Sequence, residues 1–106
     1  MTERYKIYCA DFLELAKTIP DASVDLVVTD PPYRVISGGK PHKKGQPSGM
    51  LSKNDGKIFD YNDIRPEEWI PEVFRILKDQ TQCYIMCNTI NLESYLRICR
   101  ETGFQD

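Results

Sequence analysis

Apolar and polar residues alternate along the chain with two different periods, which predict strands and helices in turn. The β-branched and aromatic stretch "RYKIYC" (residues 4–9) predicts a first strand, and "VDLVVT" (24–29) predicts a second. The second stretch is almost continuously apolar, which is typical of a parallel strand that is buried on both faces. The stretch "QCYIMCNT" (82–89) predicts a third strand.

Three stretches of helical spacing lie between or after these strands. In each of them an apolar residue recurs at every third or fourth position, so that the apolar residues form one face. The predicted faces consist of Phe12, Leu15, Ala16 and Ile19 in the first helix, Trp69, Val73, Phe74 and Leu77 in the second, and Leu92, Tyr95, Leu96 and Cys99 in the third.

Residues that begin, interrupt and end helices sharpen these predictions. Asp11, followed three residues later by Glu14, resembles a capping pair at the start of the first helix. Pro71 predicts a break or kink near Ile70 in the second helix, because proline lacks the N–H that a helix interior needs. Gly103 suits the C-terminal cap of the third helix.

The predicted order of elements is β-α-β-loop-α-β-α, which indicates an α/β fold with parallel strands and helices packed on the sheet. Three strands leave sheet edges exposed, so we expect self-association or pairing with a further segment. Phe104 follows Gly103 where a next strand would begin. We therefore expect residues 1–106 to be one part of a larger domain.

Composition and charge change this picture at one segment. Apolar residues make up 41% and charged residues 28% of the chain, as in ordinary globular proteins. The chain has no apolar run long enough for a membrane span and no signal-like start, so we expect a cytoplasmic protein. Residues 34–57 hold five of the six glycines and a net charge of +5, which leaves −7 elsewhere. This composition predicts a flexible basic loop.

The four cysteines do not suggest a metal site. Cys83 and Cys87 lie in the third predicted strand, where four residues span about 13 Å. Zn–S bonds are about 2.3 Å long, so an unbroken strand keeps these two thiolates from sharing one zinc ion. We expect reduced cysteines and no bound metal.

The second predicted strand ends in "TDPPY" (29–33), whose residues suit the binding of a planar amine. Two prolines stop a strand because neither has an N–H to donate. Ligands of open parallel sheets bind beyond the carboxyl ends of the strands. Asp30 and the Pro31 carbonyl offer two acceptors there, and Tyr33 offers a flat ring. The alternative interpretation is a plain strand end, in which Pro31 and Pro32 only terminate the strand and bind no ligand.

The stretch "SVDLVVTDPPY" resembles the catalytic motif of the DNA amino-methyltransferases that use S-adenosylmethionine to methylate adenine N6 or cytosine N4. The longer stretch "YKIYCADFLELAKTIPDASVDLVVTDPPY" resembles the N-terminus of their circularly permuted class. The helix "EEWIPEVFRILKD" and the strand "QCYIMCN" resemble the elements that follow. The Asp-Pro-Pro-Tyr form is similar to N6-adenine enzymes more often than to N4-cytosine enzymes. The resemblance implies a Rossmann-like methyltransferase fold, present only in part, in an enzyme of restriction-modification.

The resemblance also implies roles for individual residues. Asp30, Pro31, Pro32 and Tyr33 would be catalytic: Asp30 and the Pro31 carbonyl would accept hydrogen bonds from the target amine, and Tyr33 would stack on a base flipped out of double-stranded DNA. Asp11 and Asp30 would lie near the S-adenosylmethionine cofactor. Asp11 suits a helix N-cap equally well, and the sequence leaves both roles open.

Two further sites and the activity itself also have alternatives. Lys40, Lys43 and Lys44 in the basic loop would contact DNA phosphates, although a merely solvated loop has the same composition. Asn88 would face the active-site pocket or cap the last helix. The chain has no glycine that follows a strand and opens a helix, as a cofactor loop requires. We therefore expect these 106 residues alone to be inactive. Two alternative functions remain: a non-catalytic remnant of a methyltransferase, and a methyltransferase that acts on RNA or protein.

Overall fold

A computed structural model describes residues 3–32 and 64–105 of the protein. The described residues form three helices, two strands and a 3-10 turn. In chain order these are α1 (Phe12–Ala16), β1 (Val24–Thr29), α2 (Pro66–Ile76), β2 (Leu77–Ile85), the 3-10 turn (Thr89–Asn91) and α3 (Leu92–Thr102). The basic loop predicted at 34–57 lies outside the described residues.

The two strands pair in parallel, which is compatible with the predicted α/β fold. Val27 lies opposite Cys83 and Thr29 opposite Ile85 in a regular register. The pairing is irregular nearer the start, where residues 78–81 have no partners on β1 and Gln80 has a positive φ of 61°. Regular pairing on β2 therefore starts at Gln82, where the sequence predicted the strand, although β2 itself begins at Leu77.

The strand predicted at residues 4–9 is wrong. The structure assigns no strand there, and Tyr5 and Ile7 are almost fully exposed. A strand needs a partner for its backbone N–H and C=O groups, and within the described residues β1 and β2 pair only with each other. The sheet therefore has two strands in this part of the chain, where about three were predicted.

Helix α2 runs through Pro71, so the predicted break near Ile70 is wrong, and the alternative of a kink stays a prediction. Its start is capped, because the Arg65 N–H donates to Glu68 Oε2 at 2.8 Å. Pro71 cannot donate to the carbonyl four residues earlier, but its ring lies on the exposed side of the helix. The buried side chains of Trp69, Ile70 and Val73 hold the helix against the core on both sides of the proline.

The core lies between α2, α3 and one face of the sheet. Helix α3 buries Tyr95 and Ile98, whereas the predicted stripe residues Leu92 and Leu96 remain partly exposed. The rings of Trp69 and Tyr95 lie 6.1 Å apart between centroids, in a tilted arrangement. The buried core residues are Trp69, Ile70, Val73, Leu77, Tyr95 and Ile98, with Phe12, Leu13, Val24, Val27, Cys83, Ile85 and Cys99 among the half-buried residues that pack against them.

The expectation that β1 is buried on both faces is wrong. Val27 and Thr29 point to the covered face, whereas Leu26 and Val28 are more than half exposed. Successive side chains of a strand point to opposite faces, so Leu26 and Val28 share one face of the sheet. None of the helices in the described regions is long and apolar enough to cross a membrane.

Candidate active site

Asp30 and the two prolines lie beyond the carboxyl end of β1. The ladder ends with Thr29 opposite Ile85 and with the Met86 N–H donating to the Thr29 carbonyl at 2.9 Å. Asp30 follows immediately and is exposed, whereas Pro31 is buried and Pro32 is exposed. This places the Asp30 carboxylate in the position where open parallel sheets bind ligands, next to a buried proline.

The carboxyl end of β2 lies beside that of β1, and the chain continues from it to Asn88. The Asn88 Oδ1 accepts hydrogen bonds from the backbone N–H of Asn91 at 3.0 Å and from Asn91 Nδ2 at 2.6 Å. This arrangement caps the 3-10 turn that leads into α3. Asn88 therefore caps the 3-10 turn and not α3 itself, whose N-cap is Asn91, and the Asn88 side-chain oxygen is already engaged.

Asp11 is the N-cap of α1, as one of its two interpretations predicted. Its Oδ1 accepts the Leu13 N–H at 2.8 Å, while Glu14 pairs with Lys17 at 3.1 Å. A carboxylate has a second oxygen with its own lone pairs, so the cap leaves room for another partner. The structure places Asp11 and Asp30 on different elements, and their role near a cofactor stays a prediction.

Arg75 joins α2 to the segment that leads into β1, and the sequence did not indicate this role. Its Nη1 donates to the Ile19 carbonyl at 2.9 Å and to Asp21 Oδ1 at 2.7 Å, and its Nη2 donates to the Ala16 carbonyl at 2.7 Å. Glu72 accepts from Nη2 as well, at 2.9 Å. Hydrogen bonds to Asp21 and Glu72 raise the pKa of Arg75. Only the spacing of Glu72 and Arg75 was visible in the sequence.

Backbone hydrogen bonds complete this junction. The N–H groups of Ala22 and Ser23 donate to the carbonyls of Arg75 and Ile76, both at 2.9 Å. The end of α2 therefore sets where β1 begins beside β2. Because β1 is six residues long, this junction also sets the position of Asp30 beyond the other end of the strand.

Two of the half-buried cysteines, Cys83 and Cys99, are poor nucleophiles. Burial, and secondarily the neighbouring Cys99, raises the pKa of Cys83 from 9.0 to about 11. Burial and then Cys87 raise the pKa of Cys99. Thiols with raised pKa values stay protonated at neutral pH, so neither suits nucleophilic catalysis. Across residues 3–32 and 64–105, no group of three or more His, Cys, Asp or Glu residues is placed to hold a metal ion.

The other predicted site residues cannot be placed. Tyr33, Lys40, Lys43 and Lys44 lie outside the described residues, so their roles in base stacking and DNA contact stay predictions.

The described residues do not fit an S-adenosylmethionine site by themselves. They supply the exposed carboxylates of Asp11 and Asp30. Gly103 is the one glycine among them, and it ends α3 with its Cα facing the Phe74 ring. A cofactor loop instead requires glycine at a turn that follows a strand and opens a helix.

No protein-family model matches the chain, and no solved structure matches it. The type II methyltransferase M2.MboI of Moraxella bovis is 25% identical over 107 aligned positions, which cover 97% of this chain and 38% of that protein. M.HpaI of Haemophilus parainfluenzae is 30% identical over 80 positions, 76% of this chain and 22% of its own length. M.BamHI of Bacillus amyloliquefaciens is 33% identical over 84 positions, which cover 79% of this chain and 18% of that protein.

The chain is similar to type II methyltransferases. These matches cover at least three quarters of the chain, and they support the resemblance of its sequence to DNA methyltransferases. The chain spans less than two fifths of the length of each of these three relatives.

Proposed function

We propose that this chain supplies the target-binding part of an S-adenosylmethionine-dependent DNA amino-methyltransferase that modifies adenine N6. The observation that carries the proposal is the position of Asp30 and Pro31 directly beyond the carboxyl end of a parallel strand, where ligands of open parallel sheets bind. The similarity to three type II methyltransferases supports the reaction class. The Asp-Pro-Pro-Tyr form of the motif favours adenine, within a Rossmann-like domain.

The proposed role of the strand end is to position an amine. The Asp30 carboxylate accepts one amine N–H, and the Pro31 carbonyl accepts the other. Two such bonds direct the nitrogen lone pair out of the plane of the base, so that rate enhancement comes from orientation. The burial of Pro31 keeps the backbone that carries both acceptors in place. Tyr33 would stack on the flipped base, which is worth about 1–3 kcal/mol.

Bound S-adenosylmethionine would supply an electrophilic methyl group. Since the described residues lack a glycine turn that opens a helix, they do not by themselves hold this cofactor. We therefore assign the cofactor site to polypeptide beyond the described residues and the acceptors for the amine to this chain.

The test is a methyl-transfer assay with radiolabelled S-adenosylmethionine and unmethylated duplex DNA. The purified chain is assayed alone and mixed with the part of the Moraxella bovis methyltransferase that lies outside the aligned region. We expect label in N6-methyladenine in the mixture and none with the chain alone. Asp30→Ala should lower the rate by about 10³-fold, because it removes an acceptor that orients the amine.

Asp25→Ala is the matched control. Asp25 is an exposed aspartate like Asp30, but it lies near the other end of β1 and pairs with Lys78 at 2.8 Å. This variant should keep the activity of the unmodified chain. Equal methylation by the Asp30→Ala chain would contradict the proposed role, and label in N4-methylcytosine would reassign the base.

A further inference from the structure

Met86 is an exposed apolar residue beside the candidate active site. It follows β2 directly, and its N–H donates to the Thr29 carbonyl at 2.9 Å, which holds its backbone in place. Thr29 lies opposite Ile85, so Met86 occupies the register position next to Asp30. Neighbouring strands lie about 4.8 Å apart, which brings the Met86 side chain within reach of a group bound to Asp30.

Burial indicates that Met86 and Asp30 share one face of the sheet. Thr29 and Ile85, the last residues of the two strands, are half-buried, and Ile85 packs against the core. Met86 is 58% exposed, and Asp30 is exposed as well. Side chains alternate between the faces of a strand, so the residue after each strand continues on the face away from the core. A carboxylate and a thioether therefore lie side by side beyond the strand ends.

The next apolar residue of β2 on this face is directed away from the site. Tyr84 lies opposite Val28, one step nearer the amino ends of the strands. Its hydroxyl donates to Gln82 Oε1 at 2.6 Å, and Gln82 lies two residues further in the same direction. Among the described residues, Met86 is therefore the apolar residue on the β2 side of this face that is nearest to Asp30.

The chemistry of methionine suits a flat heterocycle at this position. An amine that donates to the Asp30 carboxylate lies about 2.9 Å from it, and the ring that carries the amine begins one bond further on. The ring itself needs apolar contact, which the two acceptors do not provide. Methionine is unbranched, has three rotatable bonds and makes favourable contacts between its sulfur and aromatic rings.

We propose that Met86 is a substrate-contact residue whose thioether packs against the purine ring of the adenine held by Asp30. The inference rests on the proposed function for the identity of the substrate. It adds an apolar contact from β2 to the hydrogen-bond acceptors that follow β1. The ring is in contact before and during methyl transfer alike, so Met86 contributes to the binding of DNA and little to the turnover of bound DNA.

The first test is steady-state kinetics of methyl transfer, with the Moraxella bovis polypeptide of the assay above at saturating concentration. Met86→Ala should raise the KM for duplex DNA about 5-fold, because it removes the contact between sulfur and ring. The kcat and the KM for S-adenosylmethionine should stay nearly unchanged. Met86→Leu keeps an apolar side chain of similar volume and should restore most of the affinity for DNA.

Leu26→Ala is the matched control. Leu26 is 52% exposed on the same face, but it lies opposite Gln82, four residues before Asp30. This variant should keep all three kinetic constants of the unmodified chain. Equal effects of Leu26→Ala and Met86→Ala would overturn the proposal and indicate that other polypeptide covers both residues. A raised KM for S-adenosylmethionine in Met86→Ala would overturn it in favour of contact with the cofactor.

The second test needs no turnover. The chain has three methionines, and NMR of isotope-labelled methionine methyl groups follows each of them while 2′-deoxyadenosine is added in excess. The methyl signal that Met86→Leu removes should shift upfield, because the ring current of a purine shields a methyl group over its face. Asp30→Ala should abolish this shift, and Leu26→Ala should keep it. The absence of a shift in the unmodified chain would overturn the proposal.

The two tests separate this inference from the proposed function. A shift that depends on Asp30, without methyl transfer in the mixture, would refute the proposed function alone. Methyl transfer with an unchanged KM for DNA in Met86→Ala would refute the role of Met86 alone. Trp69 is the one tryptophan of the chain, so its fluorescence reports whether each variant is folded.

Discussion

Gly103 ends α3 in a backbone conformation that other residues rarely adopt. Its φ is 130°, and the N–H groups of Gly103 and Phe104 donate to the Cys99 carbonyl at 3.1 and 3.0 Å. This arrangement confirms Gly103 as the predicted cap. The cap turns the chain so that Phe104 meets the edge of the Phe74 ring, with 5.0 Å between ring centroids.

We expect Gly103→Ala to destabilise the protein by about 1–3 kcal/mol. The new Cβ would lie 2.8 Å from Phe74 Cζ and would add strain at a positive φ. Urea unfolding followed by Trp69 fluorescence measures the effect. Glu101→Ala, at an exposed helix position two residues earlier, is the control and should change stability by less than about 0.5 kcal/mol. Equal effects of both substitutions would contradict the role of the glycine.

The raised pKa of Cys83 predicts a pH dependence of stability. Between pH 9.0 and about 11 the folded protein keeps a proton on Cys83 that the unfolded chain releases. The folded state then binds more protons, so its stability falls as pH rises through this window, and the full contribution is present below pH 9.0.

Cys83→Ala should make the fall in unfolding free energy across this window shallower, as measured by urea unfolding at a series of pH values. Val27→Ala is the control, because Val27 lies opposite Cys83 and loses packing without removing a titrating group. It should lower stability at every pH and keep the original slope. A slope that is unaffected by Cys83→Ala would show that this thiol does not titrate as its burial indicates.

At the scale of single elements, burial overrode a local rule in α2. Proline disfavours a helix interior, yet the helix continues to Ile76. Trp69, Ile70 and Val73 pack into the core around Pro71, and this burial offsets the one missing hydrogen bond. Periodicity located α3 and its buried Tyr95, but Leu96 of the predicted stripe is partly exposed, and Ile98, which lies outside the stripe, is buried.

Pro71→Ala should therefore stabilise the protein, by about 1–2 kcal/mol, since alanine restores an N–H for the Glu67 carbonyl. Pro66→Ala is the control, because a residue at the first helical position needs no such partner and its replacement should have little effect. Both are compared by urea unfolding with Trp69 as the probe. A loss of stability in Pro71→Ala would mean that the proline contributes through the unfolded chain more than it costs the helix.

At the scale of the whole molecule, the charge distribution predicts how DNA would bind. Charge reversal by Lys43→Glu with Lys44→Glu should weaken DNA binding and flatten its dependence on salt, because fewer phosphate counterions are released. Binding to duplex DNA at several salt concentrations provides the slope. Lys17→Glu with Lys78→Glu makes the same change in charge on the body of the protein and should leave the slope nearly unchanged. If the salt dependence of DNA binding is unchanged in the Lys43→Glu, Lys44→Glu variant, these lysines do not contact DNA phosphates.

The sequence by itself determined the elements whose signals are local. The apolar stretch that became β1, the N-caps at Asp11 and Asn88 and the glycine after α3 each depend on neighbours within a few residues. The sequence also placed Asp30 and Pro31 at the end of a strand, because the two prolines that stop the ladder are part of the motif itself.

Only the tertiary structure decided which surfaces are covered and which strands pair. Residues 4–9 have strand composition, but a strand forms only where another edge accepts its backbone. The apolar stretch of β1 predicted burial on both faces, whereas all described helices lie on one of them. Arg75 sets the position of β1 through Ala16, Ile19 and Asp21, more than 50 residues away in the chain. Such contacts depend on chain crossings that local periodicity does not encode.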